Sequence, residues 1–349
     1  MQVPKPNENK MITIYDIAKE AQVSTATVSR VLTGNTRVGK EKRERILQII
    51  EKYNFKPNAM ARGLSDTKSK IIGILVADVR NPFYADLFVA CEQAAKQAGY
   101  TVLLCNSLNV MEQEEFLLDR LAQQRVEAII QIGGRVDDLV SNMDYVEKIN
   151  QIMNTIPVVV TGKLEGTKCK MVRIDSMKSM ELLMEHLISL GHQKIAMVGG
   201  DIRVLSTYEK LLQYKHSLNK YHIPYDEELI SMEGEYNSES GYKLMNEIFD
   251  KGKCPTAVVA INDCAATGVQ RSILEHGYRI PQDISLVGYD NTYISQMMIP
   301  RLTTVDYDYT LFGQYLVQAA IDAIKGEGEI LKSVTPKLVV RESSAEAKR

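Results

Sequence analysis

The sequence predicts an all-α head with a helix-turn-helix arrangement, followed by an α/β body of two doubly wound parallel-sheet subdomains. Apolar residues repeat at helical spacing between residues 13 and 56. From Ile71 onward, short apolar runs alternate with helical stretches, which is typical of parallel sheets. The alternation occurs in two successive series, and it therefore indicates two similar halves, each with a sheet covered on both faces.

The bulk composition indicates a globular protein with two or three folding units. The chain has 349 residues, of which 45% are hydrophobic and 25% are charged. Its net charge of −2 is unevenly distributed. Residues 10–70 contain 13 Lys or Arg and 6 Asp or Glu, whereas residues 71–349 carry a net charge of −9. A basic head on an acidic body suggests that the head binds a polyanion.

Three helices are predicted in the head. Thr13 and Asp16 form a capping-box pattern at the start of the first helix. Ser24 is a plausible N-cap for a second helix over 25–32, and a third helix is expected over 40–53. The first two helices are joined by a tight turn, which is the helix-turn-helix arrangement.

The second helix has the chemistry of a DNA reader. It would enter the major groove with its N-terminal end, where Arg30 can bind guanine in bidentate fashion and small side chains permit close approach. Neighbouring hydroxyl and basic groups would contact phosphates and set the register. A small helical bundle with a basic face is the alternative interpretation. The head residues predicted to contact DNA are Tyr15, Thr25, Ala26, Thr27, Ser29, Arg30, Arg37 and Arg43.

Landmarks along the whole chain resemble the LacI/GalR family of bacterial transcription regulators. The N-terminal landmarks are YDIAKEAQVSTATVSRVLTGN, KEKRERILQIIEKYNFKPNAMARGL and IIGILVADVRNPFYADL. The later ones are EHLISLGHQKIAMVGG, PTAVVAINDCAATG, IPQDISLVGYDN and RLTTV. Their order and spacing, from Thr13 to Arg341, make the resemblance specific.

The resemblance implies a domain organisation. Residues 1–10 are expected to be a disordered tail, 11–56 the DNA-binding domain, 57–70 a hinge helix and linker, and 71–349 a ligand-binding and dimerisation domain. The last is expected to be periplasmic-binding-protein-like, with an N-subdomain at about 71–170 and 305–332 and a C-subdomain at about 171–304 and 333–341.

The expected hinge segment adds three DNA-binding residues. Asn58, Ala61 and Leu64 fit the family pattern, in which the leucine wedges into a minor-groove base step and bends the duplex. An ordinary linker is the alternative interpretation of this segment.

Residues just after strands are the candidates for binding an effector, because ligands of such folds bind between the carboxyl ends of the two sheets. Asn and Asp can hydrogen-bond adjacent hydroxyls, and aromatic faces cover the apolar side of a sugar ring. For any single residue, a loop cap is the alternative role. The candidates are Asn81, Phe83, Tyr84, Asn106, Arg135, Ser206, Lys210, Tyr236, Asn262, Asp263, Asp290 and Tyr307.

Some positions depart from the family pattern. The family often has a ligand-gripping arginine after Gly200, where this chain has Tyr208 and Lys210, and lysine does not reproduce the bidentate fork. Gly162 and Tyr307 replace a common aspartate and a common glutamine. The effector could therefore be a sugar, a sugar acid, a phosphosugar or a flatter molecule. A sensor domain that binds no small ligand is the alternative interpretation.

The resemblance predicts a transcriptional regulator, with repression as the expected role and an activator or dual regulator as the alternative. Neither catalytic motifs such as GxSxG or GxxxxGK[ST] nor metal-ligand spacings occur, so we expect no enzyme, cofactor or metal. A transport binding protein would need a signal peptide. The five cysteines are expected to be reduced thiols. The expected partners are a palindromic operator, a small effector and a second copy of the chain, in the cytoplasm at the nucleoid and not at a membrane.

Overall fold

The computed structural model describes residues 12–32, 38–55 and 68–348. Contacts within the chain divide it into two units, Met1–Ser69 and Lys70–Arg349. The expected N-terminal tail and most of the expected hinge segment lie outside the described residues. Each unit is described by itself below.

The head consists of helices α1 (Ile14–Glu20), α2 (Thr25–Leu32) and α3 (Lys40–Lys52). The predicted capping box is confirmed, because the Asp16 amide donates to Thr13 Oγ1 over 3.3 Å and the Thr13 amide donates to Asp16 Oδ2 over 2.9 Å. Val28 and Val31 of α2 are buried against Ile17 and Ile46. This packing fixes which face of α2 points away from the core.

The first sheet of the body has six parallel strands in the order β11-β5-β4-β3-β1-β2. Its strands are β1 (Ile71–Val76), β2 (Thr101–Asn106), β3 (Ala128–Ile132), β4 (Val158–Val160), β5 (Lys170–Ile174) and β11 (Leu331–Val334).

The second sheet has the order β12-β10-β9-β8-β6-β7, and its edge strand β12 is antiparallel to β10. Its strands are β6 (Ile195–Val198), β7 (Ile230–Ser231), β8 (Ala257–Ala260), β9 (Ser285–Tyr289), β10 (Thr303–Asp306) and β12 (Lys337–Val339). The predicted pair of doubly wound parallel-sheet subdomains is confirmed, with one antiparallel strand at this edge of the second sheet.

Nine helices of the described body connect these strands. They are α4 (Pro82–Gln97), α5 (Met111–Gln123), α6 (Met143–Met153), α7 (Ser176–Ser189), α8 (Leu205–Lys220), α9 (Ser238–Asp250), α10 (Asp263–Glu275), α11 (Tyr293–Met297) and α12 (Tyr309–Lys325).

One subdomain boundary differs from the expectation. The strand β5 was assigned to the C-subdomain, but it pairs with β4 and β11 and belongs to the first sheet. The chain crosses to the second sheet only after Ile174, returns after β10 and crosses again between β11 and β12. An apolar run predicts a strand, but it does not indicate which of two similar sheets that strand joins.

A close helix crossing stabilises the second subdomain. Helices α9 and α10 pack through Gly241 and Gly268. A Cβ atom on Gly268 would lie 1.8 Å from the Ser238 carbonyl oxygen, and one on Gly241 would lie 2.1 Å from the Ala265 oxygen. Only glycine fits at both positions without separating the helices.

The C-terminal segment is part of the second subdomain rather than a loose tail. The Leu286 amide donates to the Ser343 carbonyl over 2.8 Å. The His192 ring is buried. Its Nε2 atom lies 3.0 Å from Ser285 Oγ and 3.0 Å from the Ala345 carbonyl oxygen, and its Nδ1 atom lies 3.0 Å from Thr256 Oγ1. These contacts attach residues 341–348 to the sheet.

Candidate functional site

The outward face of α2 carries the predicted DNA-reading residues. Ala26 and Arg30 are exposed, and Thr25, Thr27 and Ser29 are half-buried. Because Val28 and Val31 face the core, Ala26, Ser29 and Arg30 project from the opposite side of the helix, and Thr25 and Thr27 lie on its flanks.

Two further predicted DNA contacts lie on the other helices of the head. Tyr15 on α1 is 73% exposed, and Arg43 on α3 is half-buried. The predicted DNA contacts Arg37, Asn58, Ala61 and Leu64 lie outside the described residues. The described part of the head thus presents a helix of short side chains and one arginine, the shape and chemistry that major-groove binding requires.

A cleft of about 1160 Å³ lies between the two sheets of the body. Both subdomains contribute to its lining at the carboxyl ends of their strands, as predicted. Ten predicted effector residues line the cleft: Asn81, Phe83, Tyr84, Arg135, Ser206, Lys210, Tyr236, Asn262, Asp290 and Tyr307.

Asp263 does not line the cleft, contrary to the expectation. Its carboxylate is fully buried behind the cleft wall and accepts hydrogen bonds from the Thr292 amide (2.7 Å) and hydroxyl (3.0 Å) and from Thr304 Oγ1 (2.8 Å). Burial, followed by the charge of Asp290, raises the pKa of Asp263 to about 8. Asp263 therefore holds the turn that follows β9, and it offers no atom to a ligand in the cleft.

Three predicted asparagines are occupied by local hydrogen bonds. The side-chain oxygen of Asn81 accepts from the Phe83 amide (3.1 Å), and that of Asn106 accepts from the Val79 amide (3.0 Å). Asn262 caps α10 through the Ala265 amide (2.8 Å) and donates to the Tyr236 carbonyl (3.0 Å). Asn262 therefore shapes the cleft wall and positions the Tyr236 segment.

Aromatic rings form one wall of the cleft. The ring of Phe83 contacts three tyrosine rings edge to face, with centroid distances of 5.1 Å to Tyr84, 6.2 Å to Tyr307 and 5.9 Å to Tyr309. Phe83 also packs against the cores of both subdomains. Such a wall suits the apolar face of a sugar ring.

Polar contacts join the two subdomains around the cleft. Ser206 Oγ on α8 donates to Asp137 Oδ2 over 2.6 Å, and Arg173 on β5 binds Glu209 on α8 over 2.8 Å. On the opposite side, the Tyr309 hydroxyl donates to the Asp290 carbonyl over 2.8 Å. Movement of one subdomain against the other would change these contacts.

Lys210 interacts electrostatically with two carboxylates of the cleft lining, those of Asp137 and Asp290. Burial raises the pKa of Asp137 to about 6 and that of Asp290 to about 6, and the Lys210 ammonium partly opposes both shifts. Burial likewise lowers the pKa of Lys210, whose Nζ lies 4.2 Å from the centroid of the Tyr289 ring. Asp290 itself has a φ of 97°, a left-handed conformation that non-glycine residues rarely adopt.

Asp137 and Arg173 are lining residues that the sequence analysis missed. Asp137 ends a 3₁₀ turn over Gly134–Asp137, directly after β3. The helix α6 begins only at Met143, where Asn142 accepts the Tyr145 amide as its N-cap (3.0 Å), so Asp137 lies in the connection before this helix. The sequence pattern that could have indicated Asp137 is a polar residue after a strand. In this segment that pattern indicated Arg135 and not Asp137.

Arg135 has one unsatisfied donor. Its guanidinium binds Asp138 over 3.3 Å and Asn109 over 3.5 Å, but its buried Nε has no hydrogen-bond partner among the described residues. A buried donor without an acceptor costs about 1–3 kcal/mol.

We expect Asp137→Asn to stabilise the protein at neutral pH. The folded-state pKa of about 6 lies above the ordinary 3.8, so the unfolded chain ionises first and the carboxyl destabilises the fold progressively from about pH 4 to 6. The full penalty, on the order of 2–3 kcal/mol, applies above pH 6. Asparagine keeps an acceptor for Ser206.

Urea unfolding at pH 4 and pH 8 would check this prediction. The variant should gain stability at pH 8 and match the unchanged protein at pH 4. The exposed Asp144→Asn should gain no stability at either pH, because Asp144 lies in the first turn of α6, where a negative charge is weakly stabilising. A variant that is less stable at pH 8 would contradict the prediction.

The head and the cleft together define a class of protein: a DNA-binding transcriptional regulator with an effector-binding domain. Residues 13–58 match the model of "Bacterial regulatory proteins, lacI family", and residues 184–344 match that of "Periplasmic binding protein-like domain". The HTH-type transcriptional repressor PurR of Histophilus somni (strain 129Pt) is 31% identical over 340 residues, which cover 95% of this chain and 99% of that protein. The chain therefore belongs to the lacI family of bacterial regulatory proteins.

Other relatives agree with this assignment. Catabolite control protein A of Priestia megaterium is 34% identical over 296 residues, covering 84% of this chain and 87% of that protein. A lac repressor dimer bound to operator and the anti-inducer ONPF has a TM-score of 0.85 at 28% identity, covering 96% of this chain and 100% of that chain. The regulator CelR in complex with cellobiose has a TM-score of 0.71 at 25% identity, covering 96% and 100%. These relatives are regulators and not enzymes, as the sequence predicted, and repression is the role that PurR and the lac repressor share by name.

The described ranges contain no group of three or more His, Cys, Asp or Glu side chains placed to hold a metal ion. None of their helices combines the length and the apolarity needed to cross a bilayer.

Proposed function

We propose that this regulator is a repressor that binds a palindromic operator as a homodimer and responds to a small carbohydrate-type effector in the cleft. The observation that carries the proposal is a polar and aromatic cleft between two subdomains. The same chain has a head in which the outward face of α2 carries the predicted DNA-reading residues. The similar lac repressor structure is a dimer on operator DNA, and the similar CelR structure holds cellobiose. The protein would act in the cytoplasm, on the nucleoid.

The DNA-binding residues in this proposal follow the face of α2. Thr25, Ala26 and Arg30 read base edges, and Ser29 lies beside them. Tyr15, Thr27 and Arg43 bind phosphates, which sets the register. From the sequence pattern alone, Arg37 joins the phosphate contacts, and Asn58, Ala61 and Leu64 form the hinge contact.

The effector residues in this proposal are the ten that line the cleft, joined by Asp137. The domain limits stay as predicted at 11–56, 57–70 and 71–349, with the first subdomain boundary moved to about residue 175. Effector binding changes the contacts between the subdomains, and this change shifts the pairing of the two heads on the operator. An activator with the same fold is the alternative, since the outcome depends on where the operator lies.

We expect Arg30→Ala to weaken operator binding by about 1–3 kcal/mol and to relax specificity at one base pair, because a bidentate contact with a base edge is lost. Arg43→Ala is the matched comparison. It removes a proposed phosphate contact, and it should weaken operator and random DNA about equally.

Selection from a randomised duplex library, followed by titrations at fixed salt, would test both variants. If Arg30→Ala weakened operator and random DNA by the same factor, the base contact would be excluded. If the unchanged protein selected no sequence at all, the proposed operator binding would fail.

A further inference from the structure

The charge of the cleft indicates what kind of effector it takes, provided that the cleft is the effector site proposed above. Six acidic and five basic residues line it. Each of the four lining arginines is already bound to a carboxylate: Arg80 to Asp78, Arg135 to Asp138, Arg203 to Asp201 and Arg173 to Glu209. These arginines are therefore largely neutralised and poorly suited to grip an anion.

The remaining cation is Lys210, the one lining Lys or Arg in the described body that forms no ion pair. Its charge acts on two carboxylates of the cleft lining, that of the half-buried Asp137 and that of the buried Asp290. Arg173 also acts on Asp137, but its guanidinium is bound to Glu209. Besides the exposed Glu235, the cleft lining therefore has two carboxylates that form no ion pair among the described residues, those of Asp137 and Asp290, against one such cation.

Buried charges are costly unless they are paired. A second cation at this place would compensate the excess carboxylate, whereas an anion would add a third negative charge in a poorly solvated space. A sugar acid or a phosphosugar would be repelled by Asp137 and Asp290, and a neutral sugar would leave the imbalance in place.

We propose that the effector is a polyhydroxylated molecule that carries a protonated amine, with its ammonium against the Asp137 and Asp290 carboxylates. Its ring lies against the wall formed by Phe83 and the tyrosines, and its hydroxyl groups face the polar side chains of the cleft lining. Amino sugars are the simplest members of this class.

Matched ligand series test the proposal with the full chain. Glucose, glucosamine, glucuronate and glucose 6-phosphate form one series, and the galactose and mannose counterparts form two others. Thermal shift identifies binders, and calorimetry then measures their dissociation constants. In at least one series, the amino sugar should bind at least tenfold more tightly than its neutral parent, and the acid and the phosphate should give no measurable binding.

Two cleft variants should move this preference in opposite directions. Asp137→Asn removes one carboxylate and should reduce the amino-to-neutral affinity ratio at least fivefold. Lys210→Met removes the competing ammonium and should increase the ratio. Asp226→Asn removes a half-buried carboxylate that binds Lys253 outside the cleft lining, and it should leave the ratio unchanged. Circular dichroism would confirm that each variant is folded.

The outcomes separate this inference from the proposed function. If neutral or acidic members bind as tightly as the amino members, the amine is excluded and the carbohydrate effector stands. If both variants shift the ratio in the same direction, the assignment of the ammonium to these carboxylates is wrong. If no member of any series binds, the carbohydrate-type effector fails together with the amine.

Discussion

Asp290→Asn is expected to weaken the response to effector at least 100-fold while operator affinity changes less than about threefold. The Asp290 side chain lies in the cleft, and the residue is only 8% exposed. Hydrogen bonds to a charged group contribute about 1.5–3 kcal/mol each, so removing the charge of a carboxylate that is proposed to bind the effector should have a large effect. Asparagine tolerates left-handed backbone conformations, so the backbone at φ 97° should persist.

Operator release in a fluorescence titration would measure this effect, with the carbohydrate that gives the largest thermal shift as the effector. Asp201→Asn is the matched control. It also removes a carboxylate from the cleft lining, but one that is held by Arg203. It should change the response less than threefold. A normal dose-response in Asp290→Asn would exclude Asp290 from the site.

Gly268→Ala is expected to destabilise the body by about 3 kcal/mol or more. The new Cβ would lie 1.8 Å from the Ser238 carbonyl oxygen and 2.6 Å from the Tyr242 nitrogen, both of which are backbone atoms. Backbone cannot rotate away as a side chain can, so helices α9 and α10 must separate and lose contacts. Overpacking typically costs about 1–3 kcal/mol, and a contact this short falls at the upper end or beyond it.

Arg271→Ala on the same helix is the control. Its guanidinium is exposed and binds Glu275 four residues later, a pair that contributes about 0.2–0.5 kcal/mol. Urea unfolding followed by circular dichroism would compare the two variants. A loss below 1 kcal/mol in Gly268→Ala would mean that the helices do not cross as closely as described.

Local patterns predicted the elements of this fold well. The capping box at Thr13 and the helix over 25–32 occur as predicted, because N-caps and helical periodicity depend on neighbours in sequence. Strands β1 to β9 were recognisable as apolar runs, whereas the edge strands β11 and β12 are mostly exposed or half-buried and carry no such run. The assignment of β5 to the wrong sheet shows where this information ends, since pairing partners lie far away in the chain.

The candidate site was predicted only in part, and the reasons are physical. Residues after strands were correctly placed at the cleft, because parallel strands bring their carboxyl ends to one edge. Which atoms face the cleft was not predictable. Asp263 and Asp290 both follow strands of the second sheet, but hydrogen bonds from Thr292 and Thr304 hold only the former behind the wall.

The sequence by itself determined the two-part architecture, the family, the basic head and the edge of the sheets at which a ligand would bind. These properties follow from periodicity, capping and charge, which are local or additive along the chain. Only the tertiary structure decided that Asp137 and Lys210 share the cleft with Asp290, that four arginines there are already paired, and that residues 341–348 pack on the second sheet. Charge balance inside a cleft depends on side chains from distant segments, and it exists only once the chain has folded.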